Sequence, residues 1–214
     1  MTQTDTALHY DYLRDPDAIT ARSFEIVRDL VDLSPFHTDL HGLVVRLIHA
    51  CGMPDVVGDL VVRGDLIAAA SRATAIYVDS NMVQAGISRP PNDLRVQCTI
   101  KDPAVERLAA QYGTTRSAAA VELWRPHLDR AVVAIGNAPT ALFHLLERLE
   151  VWRMRPLAIL AFPVGFVGAA ESKEALIDAD LGIPFATLRG RRGGSAMAAA
   201  AVNALLSQRR STPK

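Results

Sequence analysis

Residues 131–150 read AVVAIGNAPTALFHLLERLE: five apolar residues, a Gly-Asn-Ala-Pro turn, then an amphipathic stretch that opens on proline. A short unbroken apolar run bounded by turn residues is the pattern of a strand covered on both faces. Proline in the first turn of the amphipathic stretch is a helix-start signal, because the N–H it lacks has no partner there anyway. The chain repeats this arrangement. Besides 131–135, strands are predicted at 75–78, 95–100, 157–162 and 185–188, with helices at 102–111, 115–125, 139–150, 170–177 and 195–206. Repeated strand-loop-helix units imply a mainly parallel sheet with right-handed crossovers, hence a doubly wound α/β domain.

Upstream the apolar period is helical throughout. Residues 16–33, with Pro16 in the first turn, place Ile19, Ile26, Val27, Leu30 and Val31 on one stripe, and Ser34-Pro35 ends the run. A second helix starts at Thr38 or Asp39 and continues through Ala50 on Leu40, Leu43, Val44, Leu47 and Ile48, with Gly52 as its stop. A third covers 64–72. No linker or short repeat divides the chain, so residues 1–214 are expected to form one domain.

Composition narrows the function. Half the residues are hydrophobic, and 23 basic side chains balance 23 acidic ones, so bulk charge draws the protein neither to nucleic acid nor to anionic lipid. The longest uncharged run, 156–170, is shorter than the ~20 residues that cross a bilayer. Cys51 and Cys98 form no CxxC pair, and the first residues lack the basic-then-apolar order of a secretory signal. A cytoplasmic protein with reduced thiols is expected.

In open α/β sheets ligands bind beyond the carboxyl ends of the strands. Three loops there are candidates: Asn137-Ala138-Pro139-Thr140, the run PVGFVG at 163–168, and RGRRGGS at 189–195. Glycine lets backbone N–H groups approach a ligand, and the helix after each loop favours an anion; the plainer reading is that the glycines only supply tight turns. Arg189, Arg191 and Arg192 can grip a carboxylate or phosphate, beside Gly193, Gly194 and Ser195, and Thr115-Arg116-Ser117 offers a further arginine with two hydroxyls. Each arginine can equally belong to a solvated face. Neither GxGxxG nor GxxxxGK[ST] occurs, which disfavours a nucleotide.

Arg46 and His49 are three residues apart and share a helix face, so a cation and a group that exchanges protons near neutrality look into one space. Ser23 shares a stripe with Ile19 and Ile26 and reads as a buried hydroxyl. His37 and His41 have metal-compatible spacing but no third ligand, so no metal is expected. There is no GxSxG. Lys173 is expected to pair with a carboxylate on a solvated helix rather than to act as a base.

Taken together, ARSFEIVR (21–28), VVRLIHACG (44–52), DPAVERLAAQYGTTRSAAA (102–120), VVAIGNAPTALFHLLE (132–147), PVGFVGAAESKEAL (163–176) and RGRRGGSAMAAAAVNAL (189–205) resemble the precorrin-8X methylmutase family, including its cobalt-precorrin-8 branch. The likeness runs from about residue 10 to 206; residues 79–94 and 150–156 follow it loosely. The resemblance implies a flavodoxin-like three-layer fold, a homodimer with sites at the subunit interface, and neither metal nor organic cofactor. It implies an isomerase of cobalamin biosynthesis that moves a methyl group from C-11 to C-12 of precorrin-8X or cobalt-precorrin-8. By motif, His49 is the implied proton donor or acceptor, and Ser23, Arg46 and Arg116 are implied substrate contacts. A non-catalytic corrinoid carrier and a nucleotide-using flavodoxin-like enzyme are the alternatives.

Overall fold

A computed structural model describes residues 10–88 and 90–211. At its centre are six strands: β1 (Leu60–Arg63), β2 (Ala75–Val78), β3 (Arg95–Cys98), β4 (Ala131–Ile135), β5 (Ala158–Ala161) and β6 (Phe185–Leu188). They lie in the order β1-β6-β5-β4-β2-β3. Strands β2 to β6 are mutually parallel, while β1 runs antiparallel to β6, with Leu60 opposite Leu188. Numbering the parallel strands alone gives 2-1-3-4-5, the flavodoxin-like order, in which the winding reverses between β2 and β4.

Every residue of β2, β4, β5 and β6 is buried, which explains their unbroken apolar runs. Successive side chains alternate between two cores. Ile76, Val78, Val132, Ala134 and Leu160 pack against α2 (His41–Cys51), α3 (Leu66–Arg72), α4 (Asn81–Gly86) and α9 (Ser195–Ser211). Tyr77, Val133, Ile135, Ile159 and Ala161 pack towards α7 (Pro139–Trp152) and α8 (Ala169–Asp178), with α5 (Ala104–Tyr112) and α6 (Arg116–Val121) beside α7. α1 (Pro16–Leu30) lies on α2 outside this three-layer body.

The element boundaries differ from the sequence expectations for local reasons. α1 starts where Asp15 accepts the Ala18 N–H at 2.7 Å, but it ends at Leu30 because Val31 turns extended. Its buried stripe is also rotated: Ser23, Phe24 and Val27 face α2, whereas Ile19, Ile26 and Leu30 are exposed. A helical period fixes the angular spacing of two adjacent stripes, not which of them is covered. The helix expected over 115–125 closes at Val121 and tightens into a 3-10 segment, Glu122–Arg130, where Pro126 has no N–H to offer the Glu122 carbonyl. β3 stops at Cys98 rather than residue 100, since the Thr99 carbonyl already receives the Asp102 N–H of a turn. β1 and α4 were not expected: β1 is only partly buried and ends on Arg63, so it lacks the unbroken apolar run of β2, β4 and β5, and six residues are too few for α4 to show a helical period.

Gly136, directly after β4, is fixed by crowding rather than by backbone angle. A Cβ there would sit 2.7 Å from the Ala198 Cβ and 2.8 Å from the Ser195 Cα. The first turn of α9 can therefore rest on the carboxyl end of β4 only while that residue lacks a side chain. Gly136→Ala is expected to cost about 1–3 kcal/mol of unfolding free energy, typical of overpacking. Urea denaturation checks this, and a midpoint equal to that of the parent chain would refute the close approach.

Candidate functional site

The winding reversal opens a crevice between the carboxyl ends of β2 and β4, where a ligand of a doubly wound fold usually sits. Here the chain fills it. Asp79, which follows β2 and is 2% exposed, accepts the Gly136 N–H on Oδ1 at 2.9 Å, and those of Asn137 and Ala138 on Oδ2 at 2.9 and 2.7 Å. Burial pushes its carboxyl above the ordinary range, against the pull of these three donors. The three amides of the turn ahead of α7 thus belong to the protein's own carboxylate. That corrects the expectation that the Asn137 turn offers its amides to a ligand; what Asn137 presents outward is its exposed side chain. Next to Asp79, Ser80 caps α4, and its hydroxyl lies 3.3 Å from that of buried Ser195.

Loop 189–195 is held from several sides. Gly194 donates to the Phe162 carbonyl at 2.7 Å, and a Cβ on Gly193 would collide with the carbonyl oxygens of Phe162 and Pro163. The Arg191 carbonyl accepts the Gly165 N–H, and the Arg189 N–H reaches the Asp59 carbonyl at 2.8 Å. Arg189 pairs with Glu174, and Arg192 bridges Asp55 and Asp59, the latter at 2.6 Å. Of the three loop arginines, only Arg191 has no carboxylate among the described residues; it lies 5.2 Å over the Phe166 ring. Lys173 departs from its expectation. It is fully buried rather than solvated, and its Nζ donates to the Arg192 carbonyl at 2.6 Å.

The end of α2 that carries His49 lies at this same edge. α2 packs along α9, and Gln208 near the end of α9 donates to the Asp39 carbonyl ahead of α2, so the two helices run in opposite senses. The chain then passes from α2 through a 3-10 turn, Pro54–Asp59, to β1, whose first residue pairs with the last of β6. His49 is exposed at the end of its helix, and its Nδ1 is 2.7 Å from the Ser23 hydroxyl of α1. Phe24 meets the imidazole edge-on at 5.2 Å, and the Arg46 guanidinium stands 5.2 Å over the same phenyl ring. Among the described residues no hydrogen bond reaches His49 Nε2 and no carboxylate pairs with Arg46. The arrangement presents one imidazole nitrogen and one cation outward, their orientations fixed by Ser23 and Phe24.

Thr115 caps α6, and its hydroxyl lies 2.8 Å from that of Thr140 in the first turn of α7. Arg116 donates to the Ile100 carbonyl at 3.2 Å and has no carboxylate partner among the described residues; Ser117 beside it is half-buried. Thr115, Arg116 and Asn137 therefore gather on the α6–α7 side, and Ser23, Arg46 and His49 on the α1–α2 side. Behind the first group, Glu122 accepts from Arg148 at 2.5 Å and shares a 2.6 Å bond with buried His144. Among the described residues no cluster of His, Cys, Asp or Glu is placed to hold a metal ion. Sequence reasoning missed Asp79, Ser80, Phe24 and Glu122. A signal existed for Ser80, since a serine directly after a buried strand and before a helix is a cap position.

Against known proteins, the precorrin-8X methylmutase family model matches residues 18–208. The chain is 53% identical over 205 residues to the precorrin-8X methylmutase of Pseudomonas aeruginosa, covering 93% of this chain and 99% of that one. It is 39% identical over 194 residues to the cobalt-precorrin-8 methylmutase of Methanothermobacter thermautotrophicus, covering 88% and 91%. A solved precorrin-8X methylmutase from Thermus thermophilus superposes with a TM-score of 0.81 at 32% identity, covering 91% and 97%.

The Asp79 clasp yields a quantitative expectation. Asp79→Ala leaves three N–H groups without acceptors, those of Gly136 and Ala138 buried, and should lower unfolding free energy by about 3 kcal/mol. A chemical-denaturation midpoint within error of the parent would show that the carboxylate is not what holds this turn.

Proposed function

The chain belongs to the precorrin-8X methylmutase family, and we propose on that basis that it is an isomerase of corrin-ring biosynthesis. It moves a methyl group from C-11 to C-12 of precorrin-8X, giving hydrogenobyrinic acid. The observation that carries the reading is the Ser23–His49 pair, in which Nδ1 is engaged at 2.7 Å while Nε2 faces outward. As imidazolium, His49 protonates or hydrogen-bonds the conjugated macrocycle and draws electron density from it, which favours migration of the methyl group. The proton returns to His49 when the shift is complete, so the product has the formula of the substrate. Positioned acid help of this kind contributes about 10²- to 10⁴-fold.

The acetate and propionate carboxylates of the substrate suit the cations of this edge. Arg46 and Arg116 have no carboxylate partner among the described residues and are assigned to it directly. Arg189 joins them by exchanging Glu174 for substrate, because a partly exposed ion pair contributes little. Thr115, Ser117, Asn137, Gly193, Gly194 and Ser195 complete the proposed contact set through hydroxyls, the Asn137 amide and the glycine-lined approach to α9. The metal-free substrate is assigned because the relative named for it is 53% identical, against 39% for the one named for the cobalt form. A homodimer with sites at the subunit interface is supported by the exposed Ile19, Ile26 and Leu30, which flank Ser23 on α1. The two free cysteines agree with work in the cytoplasm.

Anaerobic incubation with precorrin-8X, followed by visible spectrum and mass, tests the assignment. A changed chromophore at unchanged mass is expected, with cobalt-precorrin-8 turned over more slowly. His49→Ala should lower kcat about 10²-fold or more with binding retained. Tight binding without rearrangement of either substrate would instead identify a carrier, and full turnover by His49→Ala would remove the histidine from the chemistry.

A further inference from the structure

We propose that Lys173 is the positioning residue of the substrate edge, holding loop 189–195 and the Pro54–Asp59 turn in a single arrangement from beneath. The inference rests on the isomerase reading for its kinetic consequences, but its geometry stands without it. Lysine is almost never fully buried, because desolvating an ammonium is costly unless specific partners compensate. Lys173 has no exposed surface, and its ammonium is aimed at one backbone oxygen, the Arg192 carbonyl, at 2.6 Å.

Arg192 is where the two segments join. Its carbonyl is bound by Lys173 from below, and its guanidinium is bound by Asp55 and Asp59 from the side. The neighbouring Arg191 carbonyl and Gly194 N–H are tied to Gly165 and Phe162. Fixing the Arg192 peptide therefore fixes where Arg191, Gly193 and Gly194 stand and where α9 begins. The turn it reaches through Asp55 is the one that leaves α2 three residues after His49's helix ends at Cys51. Packing alone does not require a charge here, since an apolar side chain of similar length fills the same space; what it lacks is the donor to the Arg192 carbonyl. The ammonium is thus accounted for by the loop it holds.

The charges acting on Lys173 are Glu174 on its own helix and Asp59 in the turn; Glu174 is shared with Arg189 and Asp59 with Arg192. Burial outweighs both and lowers the lysine from 10.5 to about 8. As pH rises through that value, the donor on the Arg192 carbonyl loses its charge and the loop loosens. Global stability moves the other way. Between about 8 and 10.5 the unfolded chain binds more protons than the folded one, so Lys173's contribution to stability rises with pH across that window.

The test is Lys173→Met in the full-length protein, with three readouts. Backbone amides of 189–195 should exchange with deuterium about tenfold faster, the loss expected when a hydrogen bond to a charged donor is removed. KM for precorrin-8X should rise by a similar factor with kcat within about twofold, since the lysine touches no substrate. In the parent enzyme KM should climb above about pH 8, and in the variant this climb should be absent. Unchanged loop exchange together with an unchanged KM would overturn the proposal while leaving the isomerase reading intact. Absence of turnover in the parent would overturn that reading, and loop exchange would then decide the role of Lys173. Should Lys173→Met fail to fold, deuterium exchange of 189–195 in the parent decides: an increase above about pH 8 beyond the intrinsic rise of amide exchange with pH supports the proposal, and none up to about pH 9.5 overturns it.

Discussion

One buried carboxylate closes the place where this fold ordinarily receives a ligand. Asp79 binds three successive backbone N–H groups after β4, tying the carboxyl ends of the two strands between which the sheet reverses its winding. Much of the edge is positioned by that closure. The start of α7 is fixed, and with it Thr140, which meets Thr115 and so places Arg116. Gly136 is fixed against the first turn of α9, which sets Ser195 beside Ser80. A flavodoxin-like sheet whose own carboxylate takes the turn amides at the reversal does not offer those amides to a phosphate. Binding capacity moves outward to side chains.

The cations of the edge divide accordingly. A neutral chain that binds a polycarboxylate has to keep some arginines unpaired without accumulating net positive charge. Arg192 is engaged internally by Asp55 and Asp59, and Arg189 is held by Glu174 in a partly exposed pair. Arg46 and Arg116 rest on a phenyl ring and a carbonyl oxygen, partners that orient a guanidinium without neutralising it. Local pairing therefore sorts the arginines into those that build the loop and those that present charge from it, a division that net charge does not reveal.

How much of this was legible in the sequence depends on the range of each interaction. The parallel strands and the helices after them were readable because double burial imposes continuous apolar runs and proline and glycine punctuate them, all within about ten residues. Arg46 and His49 were readable as a pair because helical spacing alone puts them on one face. Asp79 was not, since its partners lie 57 to 59 residues ahead and nothing local marks a carboxylate that caps another segment's turn. Lys173 differs from its expectation because Ala-Glu-Ser-Lys-Glu looks solvated, although position 173 shares the buried stripe of Ala169, Leu176 and Ile177; its partner, the Arg192 carbonyl, lies 19 residues on. The exposed stripe of α1 marks a further limit, because Ile19, Ile26 and Leu30 satisfy the helical period as well as the stripe that is covered.

The imidazole of His49 and the ammonium of Lys173 are disposed in opposite ways, and the chemistry explains why. His49 is exposed, with one nitrogen anchored to Ser23, as suits the proton donor proposed for a macrocycle that arrives from solvent. Lys173 is buried, with its ammonium on a backbone carbonyl, as suits the positioning role proposed for it, since such a group serves by not moving and gains strength where water is excluded. An intramolecular methyl shift brings no second substrate, so the loops of the edge have one molecule to hold. Rigidity of those loops serves binding of that molecule, and a costly buried charge beneath a glycine-rich loop is where the proposed rigidity originates.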